Sequence, residues 1–217
     1  MKLPASAIQR FQEMDWPTPN APMLAQALFR RELFGYVKSY MRQGNPALAE
    51  YRDKSSPVSL ADEFRSLLDA SFASSRDLNA MAEFRGYLER YPETPPPNLE
   101  RFLYWDKLHL AFRPVIAISD VVIDHRPEQI LIGSKQIYAS HYLEGSLGLI
   151  AALDGMDASR RPGMYLVYVN RSHIDALDGA FAAIRRAIVQ RRLREAFRRD
   201  LTYVAASLES SCGIPKG

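Results

Sequence analysis

The sequence predicts an α+β protein: a helical N-terminal part, then a curved antiparallel sheet with a long C-terminal helix packed across it. Three observations carry this prediction. Apolar residues recur with a period near 3.6 through the first ninety positions and near 2 after Leu99. Three consecutive prolines, Pro95 to Pro97, separate the two regimes. A proline-free run over 179–208 closes the chain.

The first helix is predicted over 25–41, where Leu28, Leu33, Phe34, Val37, Tyr40 and Met41 keep helical spacing before Gly44 and Pro46 stop it. Ser59, followed by Asp62 and Glu63, has the form of a capping box opening a second helix that carries Phe64, Leu67 and Leu68. A third helix is predicted over 77–91, with Leu78, Met81, Phe84 and Leu88 on one stripe. The prolines end it, because they can neither continue a helix nor sit in a central strand. The boundary between a helical part, 1–97, and a sheet-and-helix part, 98–217, falls there.

Residues 112–124 are β-branched and poor in helix formers, and His125 to Gln129 follow as a turn. Further strands are predicted over 129–142, 145–153 and 164–173, with a loop over 154–163. Short connections favour sequential antiparallel pairing, a meander. Asp178 is a candidate N-cap for the final helix. Its apolar positions, from Phe181, Ile184 and Ile188 to Leu193, Phe197, Leu201, Val204 and Leu208, drift around the axis, as expected of a helix lying across a curled sheet.

At 217 residues, 47% hydrophobic and 24% charged, the chain has material for a core and is excluded from the collagenous, low-complexity and disordered classes. Its longest apolar stretch, 147–153, is far short of the roughly 18 residues that suggest a membrane span. One cysteine, Cys212, permits no internal disulfide and no thiolate metal cluster. The first residues lack the apolar core of a secretory signal, which as written predicts a cytoplasmic protein; a truncated or processed N-terminus would make it periplasmic. Net charge is +3: residues 1–100 hold 12 Lys+Arg against 13 Asp+Glu, and residues 101–217 hold 16 against 12. Arg185, Arg186, Arg191, Arg192, Arg194, Arg198 and Arg199 make the final helix basic, either as a solvated face or as a surface for an anionic head group.

Familiar catalytic patterns fail one by one. Around Gly145-Ser146-Leu147-Gly148 the first position of G-x-S-x-G is Glu144, and the neighbouring strands read antiparallel. Gly133-Ser134-Lys135 lacks the leading glycine and the Gly-Lys order of a phosphate loop. No G-x-G-x-x-G follows a strand, and His109, His125, His141 and His173 form no close pair, so neither metal nor cofactor is predicted. What remains is a set of polar residues in apolar strands. Strict alternation puts Lys135, Ile137, Ala139 and His141 on one face and Ser134, Gln136, Tyr138, Ser140 and Tyr142 on the other. In the next strand Tyr168 and Asn170 oppose Val169 and Arg171. Two readings stand: these side chains line a cavity in which a few polar groups hold a ligand's head, or they are solvated positions of amphipathic strands.

The segments Lys135-Gln-Ile-Tyr138-Ala-Ser-His-Tyr142, Tyr165-Leu-Val-Tyr-Val-Asn170-Arg171-Ser172 and Asp175-Ala-Leu177-Asp-Gly179, with the arginine-rich helix after them, resemble the C-terminal part of uncharacterised bacterial proteins related to the START-like, or helix-grip, superfamily. The resemblance covers about residues 100–210. It implies a curved sheet gripping a long C-terminal helix around a hydrophobic tunnel, and binding of a sterol, phospholipid, polyketide or hormone, a minority of members being cyclases. It departs from the family in strand number and in the long helical region that precedes the sheet.

The expected function is therefore binding or transport of a hydrophobic small molecule between sheet and C-terminal helix. The expected ligand site comprises Lys135, Tyr138, His141, Tyr142, Tyr168, Asn170, Arg171, Phe181, Ile184 and Ile188. Arg185, Arg186, Arg191 and Arg192 would face an anionic membrane or head group. The alternative is a protein-interaction module using the helical half and the basic helix, without a cavity; nucleic acid is the weaker partner, for want of a recognition-helix motif. Catalysis by His141 with Tyr138 or Lys135 would require these groups to converge within about 3 Å or through one water.

Overall fold

A computed structural model describes residues 1–54, 56–73, 79–110, 113–156 and 162–175, and, further along, 198, 202–204 and 206–207. The chain divides into two compact units, Met1–Ile174 and Asp175–Gly217. The first begins with α1 (Ala5–Gln12), α2 (Ala21–Gln43), a short 3-10 turn (Asn45–Ala47) and the two-residue strands β1 (Glu50–Tyr51) and β2 (Val58–Ser59), which pair with each other. Next come α3 (Leu60–Phe72) and α4 (Asn79–Arg90). Five long strands complete it: β3 (Leu99–Leu110), β4 (Arg113–Arg126), β5 (Gln129–Ala139), β6 (Leu143–Met156) and β7 (Pro162–Ile174). They form an antiparallel meander in sequence order, so the architecture is α+β with a five-stranded antiparallel sheet.

The local signals act as their chemistry requires. Ser59 caps α3, its hydroxyl accepting from the Asp62 N–H at 3.2 Å, with Asp62 and Glu63 at the positive end of the helix. Gly44 ends α2 at φ 68°, ψ −142°, a conformation essentially reserved for glycine, and its N–H closes on the Tyr40 carbonyl at 2.7 Å. A Cβ there would lie 2.3 Å from the Tyr91 carbonyl oxygen.

Helices and sheet, which the sequence reads as two parts meeting near Pro97, share one core. It joins Tyr40, Phe64, Leu67, Leu68, Phe84 and Leu88 from the helices to Ile118, Val122, Leu131, Ile137, Tyr138 and Leu147 from the strands. Missing side chains let two helices approach: a Cβ on Gly133 would meet Leu88 and Phe84 of α4 at 3.2 Å, and one on Gly145 would meet Glu63 of α3 at 3.1 Å. The backbone near the start of the chain is tied to the same sheet, Lys2 N–H donating to the Ser140 carbonyl at 2.8 Å.

Two findings depart from strict periodicity. β3 mixes charged pairs, aromatic residues and leucines without a period of 2 and occupies an edge of the sheet, where exposed polar positions are tolerated; that mixture hides a twelve-residue strand from a hydrophobicity reading. The second departure corrects the face assignment in β5. Asp120 pairs with Lys135 and Ser119 with Gln136, but Ile118 pairs with Tyr138, leaving Ile137 as the extra residue of a bulge. Lys135 and Tyr138 therefore share the helix-covered face, where alternation had separated them.

In the second unit, 202–204 and 206–207 are helical, and the Thr202 hydroxyl donates to the Arg198 carbonyl at 2.8 Å. The expected long helix and its position across the sheet lie outside the described residues. Among the described residues no helix is long and apolar enough to cross a membrane.

Candidate binding site

A cavity of about 520 Å³ opens between α1, α2 and the covered face of the sheet. Leu3 and Ala7 line it from the N-terminal side, Phe29, Leu33 and Tyr36 from α2, Ala49 and Tyr51 from the segment that follows, and Tyr138 from β5. Tyr138 is the hub of its aromatic wall: the rings of Phe29, Tyr36 and Tyr51 lie 6.3, 6.4 and 6.4 Å from its centroid, within the range of tilted and edge-on aromatic contacts.

The tyrosine hydroxyls are engaged by main chain. Tyr36 donates to the Ile137 carbonyl at 2.6 Å, Tyr138 to the Lys2 carbonyl at 3.3 Å, and the Tyr51 oxygen accepts from Ala139 N–H at 3.3 Å. Burial pushes all three phenols well above the ordinary tyrosine range, so they stay neutral. What they offer a guest is the flank of a ring. Its cationic groups lie at the rim, where exposed Arg10 pairs with Glu32 and exposed Arg31 stands beside them. In the middle of α2, Gly35 also lines the cavity, and a Cβ there would meet nothing within 4 Å.

The residues expected to form the site are distributed over several places. Tyr138 lines this cavity. Lys135 lies on the same face but inside the core, 2% exposed. Its amine donates to Asn45 Oδ1 at 2.5 Å, stands 3.8 Å from Asp120 Oδ2, and lies 4.6 Å from the centre of the Phe64 ring and 5.0 Å from that of Tyr40. Asp120 also accepts from Arg101 Nε at 2.7 Å and Nη2 at 3.0 Å, and from the Tyr40 hydroxyl. Burial pushes the Lys135 amine down to about 7, against the opposing pull of Asp120. It is a buried charge network that ties α2 to β3, β4 and β5 of the sheet.

His141 and Tyr142 follow β5 in the bend before β6, their rings 5.9 Å apart, and Tyr142 adopts φ 61°. Arg171 is exposed on β7, in register with Leu147. Tyr168 and Asn170 line the opposite face of the sheet, so they share no cavity with Tyr138. Phe181, Ile184 and Ile188, like Arg185, Arg186, Arg191 and Arg192, lie outside the described residues.

Sequence reasoning passed over Phe29, Gly35, Tyr36 and Tyr51. The visible signal was Gly35, an interior helix glycine with no turn to serve. No protein-family model, curated protein or solved structure matches this chain.

Proposed function

We propose that the protein binds an apolar, lipid-like small molecule in the cavity beneath α1 and α2. The observation that carries this reading is a largely aromatic and aliphatic cavity of about 520 Å³ with exposed arginines at its rim, within the size range of small-molecule sites. The rim arginines suit a ligand with one anionic end, such as a long-chain carboxylate. The reading retains two elements that rest on the resemblance to helix-grip proteins: the 179–208 segment as a helix, and its arginines facing an anionic surface. The helical turns near Thr202 support the first of these.

The test is displacement of a fluorescent fatty acid from the full chain, with Gly35→Phe as the blocking variant. Saturable binding that Gly35→Phe abolishes without lowering the melting temperature is the expected result. No binding, or binding indifferent to the substitution, would remove the proposal.

A second reading, a protein-interaction module, is favoured by a separate feature. A groove of about 590 Å³ runs between α2 and the edge strand β3, and beside it Phe34 is 63% and Trp105 72% exposed. Large apolar side chains gathered in this way mark interaction surfaces on other proteins.

A further inference from the structure

The face of the sheet opposite α3 and α4 carries a trough of about 360 Å³, built from all five strands. Pairing sets its rows: Tyr104, Ser119 and Gln136 lie side by side, as do Ser134, Gly148 and Asn170, then Ile132, Ile150 and Tyr168. Asp106 stands at one end.

Among the described residues, two polar atoms here have no partner. Gln136 is 4% exposed, yet its Nε2 makes no hydrogen bond; Asp106 Oδ1 is likewise buried and unbonded. A buried polar group left unpaired is destabilising and rare in folded proteins, so each calls for an explanation. Their neighbours are satisfied: Asn170 Nδ2 donates to the Tyr168 hydroxyl at 3.1 Å, and the Ser172 hydroxyl lies 2.8 Å from that of Ser146 and 3.2 Å from Asn170 Oδ1. Gly148 keeps the floor open, since a Cβ there would make only ordinary contacts of 3.7–3.8 Å with Ser134, Asn170 and Tyr168.

We infer that this trough is a second binding site, for a small neutral polyhydroxylated molecule such as a monosaccharide or a cyclic polyol. A hydroxyl group both accepts, as Gln136 Nε2 requires, and donates, as Asp106 Oδ1 requires. The flanks of Tyr104 and Tyr168 suit the C–H face of a sugar ring. No lysine or arginine is among the described residues that line the trough.

The inference is independent of the apolar cavity on the other face, and its test uses other ligands and other variants. Glucose, galactose, N-acetylglucosamine and myo-inositol are titrated at millimolar concentration into the full chain by ligand-observed NMR, with Gln136→Leu and Gly148→Leu as variants. The expected result is binding by at least one of the four, lost in both variants, while Gln136→Leu melts no lower than the parent because an unpaired buried amide has been removed. Binding by none, binding that survives in Gln136→Leu, or binding confined to an amine probe such as ethanolamine would overturn it.

Discussion

Asp120 is the residue on which the buried polar network depends. It is 2% exposed and accepts hydrogen bonds from Arg101 and Tyr40, with Lys135 close by. Removing one partner of such a group leaves uncompensated charge inside the protein, so Asp120→Ala should cost about 3–5 kcal/mol in urea unfolding. Lys135→Met should be far milder, because Asp120 keeps Arg101 and the apolar stem is replaced by one of similar volume. The two variants should also differ in pH dependence. Because the Lys135 pKa is depressed to about 7 from 10.5, the folded chain binds fewer protons than the unfolded chain between those values. Its contribution to stability therefore rises as pH climbs through that window and is lost as pH falls through about 7. Denaturation of the parent and of Lys135→Met across this range should show the increment in the parent alone; equal slopes would mean the amine is not desolvated.

At the scale of elements, α2 is where stability and space conflict. Glycine inside a helix is less stable than alanine by about 0.5–1 kcal/mol, and Gly35 faces open space. Gly35→Ala should therefore raise the melting temperature, and a fall would show that the helix needs the glycine for itself. Gly44, one residue beyond the same helix, predicts the opposite. Gly44→Ala forces a side chain into a glycine-only conformation, at about 1–3 kcal/mol, and drives its Cβ against Tyr91 and Pro92. The resulting loss of stability, measured by thermal melting, should exceed the backbone term alone. Both glycines are legible in the sequence, but only Gly44, followed by Pro46, announced its role there.

Over the whole molecule, the sheet has unlike faces. One is sealed by α3 and α4 and flanked by the apolar cavity; the other carries the polar trough. The exposed groove at the β3 edge is a third surface, and it should be separable from the fold. Replacing Phe34 and Trp105 together with serine should leave stability within about 0.5 kcal/mol for each site, since neither side chain is buried, while weakening retention on a phenyl matrix. Unchanged retention would show that the groove does not act as an apolar surface.

The sequence by itself determined the α+β class and the order of α2, α3, α4 and the strands β4 to β7. Helical spacing around Tyr40, Phe64 and Phe84, the serine cap at Ser59, the proline block and the β-branched runs are local signals, each readable within a few residues because propensity and capping act at that range. Tertiary structure decided which side chains meet. One extra residue at Ile137 turned Tyr138 toward Lys135's face, and register across five strands brought Gln136 and Asp106 to one trough while sending Tyr138 to the other side. Face and register depend on pairing between strands distant in sequence. A single bulge inverts the alternation beyond it, and that inversion is invisible until the partner strand is in place.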